Sequence, residues 1–425
     1  MCLILAGIYF QHSNLYGQNE APNGKTIKGL DFGVLPSFVY NPDKGLQYGA
    51  LANFYYYGKK SIYPNYLFNL YLQSSRTTKK GYVNYLFFDS RHLLPKGLRL
   101  TVDMSLVKRG FQQFYGFNGY NSLYNADFIN PANPNFISRD YYYLEELARI
   151  ESVDIQGHFP IPHFYWNLGL GYYHVSTYPF KNYRRGKPSL PTLFEKYIHE
   201  GVIPQNQKNG GVTTYVKASL IYDTRDDEAI PTKGLWIEGI YTRAPSILAN
   251  KFPYSLFTFK FHQYISLTSN LVLAYRLAYQ TKVSGNIPFY MLPNLMSSYR
   301  AQEALGGSKT IRGIVNRRLV GNGFALGNFE FRYMPFSAVV LERNLNIGFN
   351  FFEDMGIITD KYKIDQTLNA AAFDYKSGKE AMHYAVGAGI RFVVDHNFIV
   401  ALDYGSALDK RDGKNGFYLD LDYLF

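Results

Sequence analysis

The chain has 425 residues, enough for two or three ordinary domains or for one large all-β domain. Its 40 Tyr and 33 Phe lift the aromatic share to 18%, yet mean hydropathy is −0.21 and no run approaches the roughly 18 apolar residues of a spanning helix. That combination argues against a helical membrane protein and leaves a barrel open, and the net charge of +11, without a Lys/Arg run or a nucleic-acid module, points to no nucleic acid but to a basic surface facing lipid.

The first element is the stretch MCLILAGIYFQHSNLYGQNE. Residues 2–10 form an apolar run of signal-peptide length, with Gly17-Gln18 as a cleavage region, although the usual basic start is missing. Residues 1–18 are therefore assigned to a signal peptide, 19–30 to a short N-terminal tail and 31–425 to a β-barrel. Cys2 is the only cysteine, so a processed chain has none, which excludes disulfides and Cys-ligated metals.

From residue 31 onward, period-two segments recur. The expected strands are 31–40, 46–57, 64–75, 81–90, 97–107, 143–156, 164–177, 212–224, 234–245, 254–267, 270–283, 322–334, 344–357, 380–394, 397–405 and 416–425. In YWNLGLGYY, Trp166, Leu168, Leu170 and Tyr172 share one face, with Asn167, Gly169 and Gly171 opposite. At the end of the chain, Phe417, Leu419, Leu421, Tyr423 and Phe425 share a face expected to be outward, with Tyr418, Asp420 and Asp422 opposite. The strand list has an even count, as a closed bacterial barrel requires. The long connections (108–142, 178–211, 284–321, 358–379) all follow odd-numbered strands. That parity fits long extracellular loops and short periplasmic turns, whereas a sandwich has no reason to sort its loops this way. The expected fold is all-β: a closed 16-stranded antiparallel transmembrane β-barrel with no helical region of note.

LGGSKTIRG, 305–313, tests for a phosphate site. It lacks the P-loop spacing, and no strand–helix context follows. The 9 His include no His-x-x-x-His pair on a helix. Asp226-Asp227-Glu228 are adjacent in sequence, so by themselves they do not oppose one another across a substrate. No catalytic residue, cofactor or metal is expected.

Four motifs together resemble the BamA/TamA-like outer-membrane assembly and translocation barrels. YDTRDDEAIPTKG (222–234) is similar to the family's Asp-x-Arg-Asp…Pro-x-x-Gly turn. LGGSKTIRGI (305–314) is similar to its Gly-Gly…Val-Arg-Gly-Phe/Tyr loop. FFEDMGII (351–358) resembles the Asp-x-Gly strand that follows. GAGIRFVVDHNFIVALDYG (387–405) and the terminal Phe425 resemble the last three strands. Ile311 and Ile314 depart from the pattern, standing where Val and an aromatic residue are usual. Members commonly carry periplasmic POTRA domains before the barrel, so the resemblance is to a barrel-only member.

The resemblance implies that the 284–321 loop folds back into the lumen and that Arg312 pairs with Asp354. Gly306, Gly307 and Gly313 would permit the tight turns, and Gly356 lies on the same strand as Asp354. Alternation places Glu330 and Arg332 inward, together with Arg391 and Asp403 on neighbouring strands. Asp223, Arg225, Asp226, Pro231 and Gly234 read equally as an ordered periplasmic rim or as a well-capped turn. The C-terminal strand is implied to be read by the assembly machinery. The implied function is protein insertion or translocation in the outer membrane of a Gram-negative-type bacterium. Expected partners are the bilayer and lipopolysaccharide, outer-membrane or secreted clients, and proteins supplying the missing periplasmic domains. The alternatives are a passive or partner-gated pore and an accessory subunit of a larger complex.

Overall fold

Period-two alternation becomes one antiparallel sheet in the computed structural model, which describes residues 28–41, 45–59, 66–180, 190–228, 230–298, 301–303, 305–340, 343–394, 398–421 and 423–425. The signal-peptide assignment and all of the N-terminal tail before residue 28 lie outside the described residues. In chain order the strands are β1 (Leu30–Asn41), β2 (Gly45–Tyr56), β3 (Phe68–Thr77), β4 (Gly81–Asp89), β5 (Arg99–Gln113), β6 (Tyr143–His158), β7 (Phe164–Pro179), β8 (Gly210–Asp223) and β9 (Gly234–Ala244). They continue with β10 (Tyr254–Thr268), β11 (Leu271–Gly285), β12 (Asn294–Leu295), β13 (Gln302–Glu303), β14 (Gly323–Val340), β15 (Arg343–Asp360), β16 (His383–Val394), β17 (Phe398–Ala407) and β18 (Asn415–Leu421).

Each expected segment overlaps one of these strands. Neighbours in sequence are neighbours in the sheet, except that β11 pairs with β14 while β12 and β13 pair only with each other inside the intervening connection. The architecture is an all-β antiparallel barrel fold. Its two end strands meet unequally with their neighbours. β1 pairs with β2 along its whole length, from Leu30–Tyr56 to Asn41–Gly45, but among the described residues it shares one register pair with β18, Tyr40–Leu419.

The sheet is apolar outside and polar inside. On β7, Leu168 and Leu170 are exposed while Asn167 is buried. On β14, Phe331 and Tyr333 are exposed, and Asn328, Glu330 and Arg332 are buried. That inversion of the soluble pattern is what a lipid-facing wall around a polar lumen requires.

Two regions differ from expectation. β14 and β15 run past the expected ends, with a register shift between Tyr333 and Phe336. Pro335 lacks an N–H and reads as a strand terminator, but it sits at that bulge, where no ladder bond is asked of it. The second is α1 (Leu193–His199), a short helix within the β7–β8 connection. Its Thr192 side chain caps Glu195 N while Glu195 caps Thr192 N, a reciprocal capping box.

The four longest connections, β5–β6, β7–β8, β11–β14 and β15–β16, gather at one end of the sheet over a shared aromatic core. Phe114 lies edge-on to Phe194 and Tyr197 at ring distances of 5.4 and 5.2 Å. Tyr197 meets Phe373 at 5.1 Å, Phe194 meets Phe289 at 5.9 Å and Phe117 meets Tyr362 at 4.4 Å. Every one of the four connections contributes a ring, so they form one cap. Among the described residues the largest apolar cluster joins this cap to the inner wall beneath it, through Ala148, Tyr173, Tyr215 and Tyr254.

Candidate functional site: a loop pinned inside the barrel

The β11–β14 connection descends from the cap into the lumen and turns at 305–313. Gly306, Gly307 and Gly313 all adopt positive φ, at 113°, 84° and 99°. Gly307 N donates to Ile314 O at 2.9 Å, and Thr310 Oγ1 accepts from Gly306 N at 3.0 Å, closing the tip on itself. Gly313 also packs against the backbone of Gly405 and Ser406 on β17, where a Cβ would collide. Only glycine meets both demands at that position.

The tip delivers Arg312 to the wall, where it is 1% exposed. Its Nε and Nη2 donate to the two oxygens of Asp354 on β15 at 2.8 and 2.9 Å, and its backbone N donates to the same carboxylate at 2.9 Å. Nη2 also lies 2.8 Å from Glu330 Oε1 on β14, and Nη1 lies 3.3 Å from Asp403 Oδ2 on β17. The Phe352 ring faces the guanidinium with its centroid 3.5 Å from Cζ. A buried cation is thus met on three sides by carboxylates and on another by a π face.

The surrounding charges are themselves paired. Arg332 Nε donates to Glu330 at 2.8 Å, and Arg391 Nη1 donates to Asp403 at 2.7 Å. Asn328 Nδ2 donates to Asp354 Oδ1 at 2.7 Å and to Thr310 O at 2.6 Å, tying wall to loop. Arg276 on β11 donates to Asn328 Oδ1 at 2.8 Å and to Lys309 O at 3.2 Å. Lys309 reaches Asp420 on β18 at 3.0 Å. One loop tip therefore contacts β11, β14, β15, β17 and β18.

The isoleucines that depart from the family pattern pack in an aliphatic cluster with Leu295, Leu305, Leu319, Phe324, Leu326 and Ile358. Gly356 leaves the notch that Ile311 and Leu305 fill. The stem of the connection is held as well. Arg317 donates to Glu146 at 2.7 and 3.0 Å, and Lys217 donates to the carbonyls of Ser297 and Ser298 at 2.7 Å. Glu238 accepts from Ser298.

The expected residues around Arg312 thus come together: Asp354, Glu330, Arg332, Arg391 and Asp403, with Gly306, Gly307, Gly313 and Gly356 shaping the approach. The turn residues lie apart from them. Arg225 forms a two-bond pair with Asp223 at 2.9 and 2.8 Å. Asp226 accepts from the backbone N of Thr232 and Lys233 at 2.9 and 3.2 Å. Bonds from Thr232 and Lys233 outweigh partial burial and hold the Asp226 carboxyl below its usual range. Gly234 takes φ 98° beside Pro231, so of the two readings a well-capped turn describes the geometry.

The outward assignment of the C-terminal face is corrected. Phe417 is exposed, and Leu419 is half-buried in the ladder opposite Leu402. Tyr423 and Phe425 instead turn into the lumen. The Tyr423 ring lies 4.3 Å from the Arg332 guanidinium and 5.5 Å from that of Arg391. Phe425 lies 4.8 Å from Arg332, 5.3 Å from Arg276 and 5.5 Å from the His262 ring. The faces of these guanidiniums that their carboxylates leave uncovered take the aromatic rings, a contact that alternation along a strand does not register.

Asn328, Phe352, Arg276, Gly405 and Tyr418 were not singled out. Asn328 and Phe352 lie on faces already read as inward, so alternation carried a signal for them. Tyr418 likewise lies on the face read as inward and accepts from Gly313 N at 3.0 Å, whereas no local pattern marks the contact of Gly405 with the loop tip. Among the described residues no group of three His, Cys, Asp or Glu is arranged to hold a metal. The site's chemistry is charge pairing that fixes a loop across a lumen.

Three comparisons bear on this geometry. Residues 69–422 match the Omp85 superfamily domain. Among solved structures, the fold is similar to BamA from Haemophilus ducreyi lacking POTRA domains 1–3, with TM-score 0.53 and 16% identity over 92% of this chain and 70% of that one. It is similar also to CdiB from Escherichia coli, with TM-score 0.53 and 11% identity over 93% of this chain and 63% of that one. The chain thus spans less than two thirds of CdiB. No curated protein matches the sequence. With its family matched across most of its length and its all-β architecture shared with those barrels, the chain belongs to the Omp85 superfamily and is a β-barrel protein of the Gram-negative-type outer membrane.

Proposed function

We propose that the chain inserts or translocates outer-membrane or secreted protein clients, working as a closed 16-stranded transmembrane barrel whose capped end faces outward from the cell. The observation that carries this reading is the seam. Among the described residues, neighbouring strands elsewhere in the sheet share seven or more register pairs, whereas β1 and β18 share one, Tyr40–Leu419. A junction with few ladder bonds is the least costly place to separate neighbouring strands. Once separated, the β1 edge offers its backbone N–H and C=O groups to a client strand, which adds by β-augmentation. The Arg312 lock braces β14, β15 and β17 beside that seam, so opening is confined to the junction. Client folding into lipid supplies the free energy, and partner proteins supply the periplasmic handover. The outer surface meets lipid and lipopolysaccharide. A passive pore is disfavoured by the loop lying across the lumen.

Tyr40→Cys with Leu419→Cys tests the reading, because Cys2 is the only native cysteine and is removed by Cys2→Ser. The oxidised pair should block client insertion into liposomes, and reductant should restore it. Unimpaired insertion by the fully oxidised pair would sink the seam mechanism. In planar bilayers, low flickering conductance that rises when 305–313 is deleted supports a plugged barrel, whereas large steady conductance of the intact chain supports a pore.

A further inference from the structure

The cap holds a charge cluster that neither the lock nor the seam uses. His383, the first residue of β16, is fully buried. Its Nδ1 lies 2.7 and 2.8 Å from the two oxygens of Asp412, and its Nε2 lies 2.8 Å from Glu380 Oε1. Carboxylates only accept, so both ring nitrogens must carry hydrogen for both contacts to be bonds. The geometry is that of an imidazolium held between two carboxylates.

The groups facing it come from four separate connections. Glu380 belongs to β15–β16 and Asp412 to β17–β18. Tyr120, from β5–β6, stacks on the His383 ring at 3.8 Å, donates its hydroxyl to Asp412 at 2.8 Å and donates its backbone N–H to Glu380 at 2.9 Å. Arg318, from β11–β14, lies 3.5 Å from Asp412 and donates to the carbonyls of Gly119, Ser122 and Arg411 at 2.8, 3.0 and 2.9 Å. Arg411 lies over the Tyr120 ring at 3.7 Å and pairs with Asp409 at 2.6 Å. His383, Arg318 and Arg411 balance Glu380, Asp412 and Asp409 only while the imidazole is charged. A neutral ring would present a lone pair to one carboxylate, in a site where solvent screens poorly.

We propose that His383 is a proton-dependent clasp that ties four connections over the barrel mouth and that losing its proton loosens the cap. The clasp stands on this cluster alone and does not depend on the seam. Protons from the outer medium reach it through the exposed Arg411–Asp409 rim, and the fully protonated state is the closed one. Acidic medium holds the cap shut, and rising pH releases it.

Hydrogen–deuterium exchange on the full chain in detergent tests this at about pH 6 and about pH 9, either side of the imidazole range, with rates corrected for intrinsic exchange. In the native chain, protection of 114–124 and 374–382 should fall on the order of tenfold at the higher pH, while β7–β9 keep theirs. Glu380→Gln places an amide donor opposite a neutral ring, so its cap should stay protected at both pH values. His383→Gln satisfies one carboxylate at most, so its cap should be weakly protected at both. A native chain without the step overturns the proposal, as does a step that persists in Glu380→Gln, a variant that keeps the cluster's shape and serves even if His383→Gln folds poorly.

Discussion

Arg312 places three hydrogen bonds on one carboxylate, that of Asp354: Nε and Nη2 span its two oxygens, and the backbone N joins one of them. Side chain and main chain of the loop are thus fixed by the same group. Removing Arg312 leaves buried carboxylates short of their shared cation, and removing Asp354 takes away the two-bond partner while Glu330 and Asp403 remain; breaking a buried pair costs about 3–5 kcal/mol, with the Asp354 variant at the lower end. Arg312→Ala and Asp354→Ala should each lower stability by that order and abolish heat-modifiable mobility in electrophoresis. Arg312→Lys should recover little, because an ammonium does not span both oxygens. Thermal unfolding in detergent checks the series, and a lysine variant as stable as the native chain would contradict the two-bond argument.

The glycines around the tip make a steric prediction. Gly313→Ala must hold a Cβ at positive φ against the β17 backbone, at a cost of about 1–3 kcal/mol. Gly356→Val fills the notch taken by Ile311 and Leu305. Both should expel the loop, and limited proteolysis should then cut within 305–313 in intact barrels. Unchanged protection in Gly356→Val would mean that the notch is dispensable.

The inward tail has a spectroscopic readout. Trp236 lies 4.8 Å from the His262 ring, which lies 5.5 Å from Phe425. In a Trp166→Phe background, Phe425→Ala should admit water beside His262 and shift Trp236 emission to the red. Loss of its cation–π contacts should also cost about 1–2 kcal/mol. An emission maximum that does not move would place the tail elsewhere in solution.

The Asp226 turn is acid-sensitive in a calculable direction. Its carboxyl titrates below its ordinary value in the folded chain because Thr232 and Lys233 bond the ionised form. Its stabilising contribution is present above the unfolded value of about 4 and is lost as pH falls through the depressed one. Exchange at residues 230–233 should therefore accelerate below about pH 4, and Asp226→Asn should flatten that dependence. Equal acid responses of variant and native turn would disprove the assignment.

Much of the wall was legible because its rule is local. Alternation placed Glu330, Arg332, Arg391 and Asp403 inward without any tertiary information. The Arg312–Asp354 pairing was legible only through resemblance, since the partners stand 42 residues apart and no spacing rule joins them. Pro335 obscured the lower end of β14, because a missing N–H reads as a stop whether or not a bulge accommodates it. The helix at Leu193–His199 carried its signal in Thr192 and Glu195, three positions apart, but lay inside a long connection with no periodic run to support it. Tyr423 and Phe425 were misplaced because alternation holds only while the chain stays in the sheet. The cap core, with Phe114, Phe194, Tyr197 and Phe373, has no periodicity at all; it exists only once distant loops meet.

That last feature sets an order of assembly. Tyr120 and Asp412 are separated by 292 residues, and Asn118 and Tyr362 by 244, whereas Arg312 and Asp354 are separated by 42. Loop-closure entropy makes the Tyr120–Asp412 contact about 1.7 kcal/mol costlier to form from an open chain than the Arg312–Asp354 contact. The lock can close on a hairpin in which β14 and β15 alone have paired, while the cap must wait for strands from both ends of the chain. Folding thus threads the loop first and roofs it last, and the slow step belongs to the roof.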